Sequence, residues 1–224
     1  MKKVFLMLIL ILILFVALTG CSNSNEPAAE PSDEPEAGIG GLTKENPLQV
    51  NKEEGTITFL AQVNGKYFYE PTRHAAVFAD GGNGEKAVFR AFAQHEDFYN
   101  GLIELGAVAG NNMTLDNAAQ THVDGDAFDV TVNWEGAEKA VSLDEAIIDS
   151  NGNPIDIRFG GNLENARSKN TGCLICLDSC PVGITSNATY TMGAVEKTNE
   201  VGFTGNEEIL PDDGTYVAIT LKLK

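Results

Sequence analysis

Positive charge is scarce in this chain: 15 lysines and arginines stand against 32 acids, for a formal net charge of −17. That balance excludes nucleic acid as a partner, because such binding rests on neutralising phosphates. It also excludes electrostatic docking to an anionic lipid surface. Histidine is limited to His74, His95 and His122, and cysteine to four positions. No Gly-rich phosphate loop is present, since Asp80-Gly-Gly-Asn-Gly84 lacks the following lysine and hydroxyl. There is no serine nucleophile elbow and no zinc-protease helix. Asp149-Ser-Asn151-Gly-Asn153 alternates oxygen side chains but lacks the bidentate glutamate of a calcium loop, so it reads as a turn. No internal repeat and no second linker break the chain after its amino-terminal part.

What is there begins with Met1-Lys2-Lys3 and an uncharged run from Val4 to Leu18. A short positive segment followed by an apolar stretch of this length is the pattern of a signal peptide, here residues 1–20. The run is short for a membrane span, which needs about 20 apolar residues. Leu18-Thr19-Gly20-Cys21 resembles the bacterial lipobox, in which small residues precede a cysteine that receives a diacylglycerol. Cys21 is therefore expected to be the lipidated first residue of the mature form. Two acyl chains anchor stably where one holds marginally. The expected location is extracytoplasmic, anchored to the cell membrane. Residues 21–47 are rich in Pro, Glu, Ser and Gly and poor in large apolar groups. Such a stretch buries too little surface to offset its ordering entropy, so it reads as a tether. Residues 48–224 read as one globular domain.

Short strand patterns dominate that domain. Thr56–Val63 is β-branched and aromatic, and Asn64-Gly65 predicts a hairpin returning through Lys66–Tyr69. Ala75–Ala79 and Lys86–Phe92 predict a second hairpin around the glycine-rich loop. Asp129–Trp134, Ile155–Phe159 and Tyr216–Leu223 alternate as strands. Phe98, Leu102 and Leu105 recur at helical spacing and predict a helix over 96–105, stopped by Gly106. Ser142 and Glu145 have capping-box spacing, predicting a short helix through Ile148. The expected fold class is α+β, a mostly antiparallel β-sheet with one or two short helices; a β-sandwich is the alternative.

The densest chemistry is Cys173-Leu-Ile-Cys176-Leu-Asp-Ser-Cys180-Pro181. Its spacing, C-x2-C-x3-C-P, matches the last three cysteines of the bacterial ferredoxin run. Asn170 stands where that run has its first cysteine, so a [4Fe-4S] iron–sulfur cluster needs a fourth ligand, such as Asp178 or a histidine. Alternatively, three thiolates hold a single zinc or copper(I) ion with His74, His95 or His122 as fourth donor. As a third reading, two of the cysteines pair as a disulfide in an oxidising compartment and leave one thiol over. Arg158, Arg167 and Lys169 lie close in sequence and would lower a thiol pKa if close in space. The signal lacks a twin arginine and suits an unfolded chain, so a cluster would be assembled outside the cytoplasm.

Thr171–Asn187, together with Ile155–Asn162 and the helix bearing Asp97-Phe98-Tyr99, resembles the YdjY domain family of bacterial proteins. The resemblance spans about residues 46–224. It implies one domain and a ferredoxin-like label, with Cys173, Cys176 and Cys180 as candidate ligands or redox thiols. It assigns no substrate and no catalytic residue. The expectation is a metal or iron–sulfur binding lipoprotein, an electron-transfer protein with an unidentified redox partner. The alternative is a non-catalytic binding or structural lipoprotein whose cysteines form a disulfide.

Overall fold

The computed structural model describes residues 38–224; the expected signal peptide and Cys21 lie outside the described residues. Twelve strands follow in chain order: β1 (Leu48–Asn51), β2 (Thr56–Val63), β3 (His74–Phe78), β4 (Phe89–Ala91), β5 (Ala127–Trp134), β6 (Val141–Ser142), β7 (Ile147–Asp149), β8 (Ile157–Phe159), β9 (Cys173–Cys176), β10 (Thr185–Asn187), β11 (Phe203–Gly205) and β12 (Tyr216–Leu223). Three helices interrupt them: α1 (His95–Glu104), α2 (Leu143–Ala146) and α3 (Leu163–Lys169).

Eight strands run β2-β12-β5-β8-β10-β9-β3-β4, and a further pairing of β4 with β2 closes the ring. The architecture is a closed β-barrel. This corrects the α+β expectation, its β-sandwich alternative and the ferredoxin-like label alike. Closure depends on short pairings that leave little trace in sequence. One edge of β2 is divided, with Thr56–Phe59 paired to β1 and Ala61–Val63 to β4. The longest ladders are β12 with β2 and β12 with β5, both antiparallel. In these strands alternate residues turn inward, as pleating requires: Val217, Ile219 and Leu221 are fully buried, as are Ile57 and Phe59. A ring of eight strands has an interior just wide enough for side chains to fill.

Helix α1 covers a predicted apolar face. Phe98 and Leu102 are buried, and the Phe98 ring meets Phe59 edge-on at 5.5 Å between centroids. Gly101 permits the approach, because a Cβ there would stand 2.5 Å from Ile57 Cδ1. Helix α2 has the predicted capping box: Ser142 Oγ accepts from the Glu145 N–H and the Glu145 carboxylate accepts from the Ser142 N–H. The helix ends at Ala146 rather than Ile148, because Ile147 opens β7, which pairs with β11. Ser142→Ala is expected to cost about 1 kcal/mol in a denaturant titration. The Ser142 backbone and hydroxyl hold the exposed Glu145 carboxyl below its usual value. That contribution is present at neutral pH and is lost as pH falls through the lowered value. The gap between the variant and the parent chain should therefore narrow in acid.

Two expected hairpins are absent. Gly65–Phe68 forms a 3-10 turn, and β2 pairs with distant β12 instead. Strands β3 and β4 pair in parallel, not antiparallel. The packed part also begins ahead of Leu48: Ile39 and Leu42 exchange backbone hydrogen bonds, and Leu42 is buried.

Candidate metal centre

Parallel pairs normally need a long crossover. This barrel makes two with short irregular loops, residues 79–88 between β3 and β4 and residues 177–184 between β9 and β10. These strands are neighbours in the ring, since β3 pairs antiparallel with β9. The loop 79–88 also meets the approach to β9. Gly82 and Asn83 donate to the carbonyls of Asn170 and Thr171. A Cβ on Gly81 would lie 2.7 Å from Gly172 Cα, so only glycine allows this contact.

The cysteines lie in this region. In a regular strand, residues three apart face opposite sides, so Cys173 and Cys176 should diverge. The β3–β9 register shifts twice: His74 partners Cys176, Ala76 partners Ile175, and Val77 partners Cys173. Leu174 is thereby left unmatched on β9, and one unmatched residue reverses the parity of the strand. Cys173 and Cys176 come to share a face. With Cys180, Val77 and Ala87 they form a small buried cluster separate from the main core.

His74 completes the group. Its Nδ1 lies 3.6 Å from Cys173 Sγ and 3.9 Å from Cys176 Sγ. The three donor atoms all lie within 4.8 Å of one another, and all three residues are buried. Zinc bonds of about 2.3 Å to sulfur and 2.0–2.1 Å to imidazole nitrogen give a tetrahedral N···S edge of about 3.5 Å. The observed separations are close to that edge. Cys180 is buried and free, as are the other two thiols. It lies against Cys176, outside the mutual group of three.

The other expected donors are elsewhere. His122 is exposed and its Nδ1 meets the Ala188 carbonyl at 2.6 Å. His95 opens α1 with both ring nitrogens buried and without a hydrogen bond, apart from the cysteine group. Asn170 is the left-handed C-cap of α3. Arg158 bonds to Asp156 and Arg167 to Glu96, so neither guanidinium is free for the thiols.

Asp178 is not a ligand either, because both its oxygens are committed. Oδ1 accepts from Arg73 Nε and NH2 at 3.1 and 2.5 Å, and Oδ2 accepts from the Gly193 N–H at 2.9 Å. Asp178 is fully buried and Arg73 nearly so. Burial pushes the Asp178 carboxyl up, against the pull of Arg73. Burial also works against the Arg73 charge, but Asp178, Cys180 and Cys176 outweigh it and the group titrates above its ordinary value. Arg73 adjoins His74, and Asp178 sits between Cys176 and Cys180. The pair therefore ties together the two segments that carry the donors, aided by the Leu177 N–H bonding to the Arg73 carbonyl. Asn162, in the left-handed region, donates to the carbonyls of Cys180 and Gly183 and holds the second crossover.

The thiols influence one another. A hydrogen bond from Cys176, with further help from His74, holds Cys173 well below the ordinary thiol range despite burial. Cys176 is pushed well up, first by sharing with Cys173, then by Cys180 and burial. The lowering favours the thiolate form of Cys173, the form that binds metal.

Comparison with known proteins shows the family. The YdjY domain profile matches residues 48–222. The chain belongs to the YdjY domain family. An Escherichia coli (strain K12) relative bearing the name "Uncharacterized protein YdjY" is 49% identical over 214 residues, covering 96% of this chain and 92% of the relative. No solved structure matches. In this YdjY domain the cysteine spacing was evident from sequence, whereas the choice of His74 over two other histidines was not. No sequence signal marked Gly183 or Ser186.

Proposed function

We propose that this YdjY domain protein holds one soft or borderline transition-metal ion, of the zinc or copper(I) kind, outside the cytoplasm. His74, Cys173 and Cys176 form the core of the site, and Cys180 is the adjoining fourth donor. Cys21 anchors the protein to the membrane through its lipid. The observation that carries the reading is the mutual approach within 4.8 Å of three donor atoms from buried residues. Thiolate and imidazole donors suit these metals and not calcium or magnesium.

Two features favour a single ion over an iron–sulfur cluster. A cubane spreads its ligands over separate irons, so its donor atoms stand farther apart than donors sharing one metal. Asp178, the acid offered by the motif itself, is fully engaged by Arg73 and Gly193. Burial of every donor makes the site closed, as in structural zinc centres, with no position open to a substrate. The role is therefore to hold the ion, and no reaction is assigned.

The test is metal and acid-labile sulfide analysis of anaerobically purified protein, with a free-thiol count. One ion per chain with no sulfide is expected. Four irons with matching sulfide would replace this reading with a cluster, and a metal-free chain with a single titratable thiol would replace it with a disulfide. A membrane fraction that retains the parent chain and loses Cys21→Ala checks the anchor.

A further inference from the structure

We infer that Ser186 is a positioning residue for the metal, its hydroxyl donating a hydrogen bond to the Cys176 sulfur once that sulfur is a metal-bound thiolate. The inference rests on the metal reading above and specifies which atom tunes it.

Strand β10 reads Thr185-Ser186-Asn187, and all three residues are fully buried. The flanking side chains are satisfied. Thr185 Oγ1 donates to the Leu174 carbonyl at 2.8 Å, and Asn187 Nδ2 donates to the Leu177 carbonyl at 3.1 Å. Ser186 Oγ alone of the three has no partner. Buried hydroxyls are rarely left unpaired, because the group has given up water and gained nothing.

The orphan atom lies beside the thiols. Ser186 is the register partner of Cys176 in the parallel β9–β10 pair. Gly183 lies beside both: a Cβ placed there would be 2.8 Å from Cys176 Sγ and 3.1 Å from Ser186 Oγ. The two atoms therefore flank the same point, which the missing side chain leaves open. Cysteine binds a metal as its thiolate, a sulfur that only accepts hydrogen bonds. The Ser186 hydroxyl is the neighbouring buried donor that has no partner of its own. Such outer groups orient ligands and adjust their basicity, and losing one typically costs 10–100-fold in affinity.

Cobalt(II) is a suitable probe, because its sulfur-to-metal charge-transfer band reports on the bound thiolates. Ser186→Ala is expected to bind cobalt(II) about 10-fold more weakly, with the band moved to lower energy. Its metal-free form should melt no lower than the parent, since the substitution removes an unpaired polar atom. Gly183→Ala, whose methyl would crowd both atoms, should move the band the same way. A purely structural serine would lower metal-free stability and leave the band in place. If the parent binds cobalt(II) and both substituted chains match its affinity and band, the hydroxyl is satisfied by something else, such as water, and this inference is overturned. Failure of the parent to bind cobalt(II) would instead overturn the metal reading itself.

Discussion

Asp178→Ala is expected to lower unfolding free energy by about 3–5 kcal/mol. Both members of the pair are buried, with side-chain exposures of 9% for Arg73 and 0% for Asp178. Removing the carboxylate leaves a guanidinium in the interior, with only Glu196 3.9 Å from Arg73 NH1. It also strips the Gly193 N–H of its acceptor. A domain of ordinary stability has about 5–15 kcal/mol in total, so the loss should move the denaturant midpoint well beyond error. Replacing both partners together, Arg73→Met with Asp178→Leu, should recover much of the loss, because apolar groups of similar size leave no unpaired charge. A loss under 1 kcal/mol for Asp178→Ala would mean that water reaches the guanidinium and that the pair does not clamp the centre.

The second large effect concerns the metal directly. Apparent zinc binding energies in small structural sites are about 10–16 kcal/mol. Shared over four ligands, one thiolate then accounts for about 3 kcal/mol, or roughly 100-fold in affinity. Cys176→Ser should lose at least that much, measured by competition with a chelator. Cys176 is the pivot, touching Cys173, Cys180 and His74. Cys180→Ser should lose less, since Cys180 stands outside the compact group of three. An ion that binds only the native state stabilises it by mass action. Added zinc should therefore raise the melting temperature of the parent more than that of Cys176→Ser. Equal zinc affinity in the two chains would remove Cys176 from the ligand set.

Parts of this architecture were legible in the residues. Tyr216–Leu223 alternates over its whole length and forms β12 as predicted. The helix carrying Phe98 and Leu102 and the Ser142–Glu145 cap also follow from local pattern. The barrel did not, because closure rests on pairings of three or four residues between strands far apart in sequence. Asn64-Gly65 has hairpin chemistry, yet the Asn64 N–H bonds to the Val88 carbonyl and Gly65 to Asp213, so tertiary contacts override the turn. At the centre, the cysteines could be read from spacing alone, but spacing also misleads. Residues 173 and 176 share a face only through an unmatched Leu174, and a register shift is a property of two strands, not one. His74 could not be chosen over His95 and His122 for the same reason.

The donors come from opposite halves of the molecule: His74 and Cys173 are separated by 99 positions. Contacts this remote form slowly, because loop-closure entropy must be met first. A nascent chain can offer an ion only the local thiols of 173–180, a loose chelate without imidazole. The complete coordination sphere exists only after the ring has shut. On the proposed metal reading, ion capture is thereby a late event in maturation, and a tightly held ion would mark a chain that has finished folding.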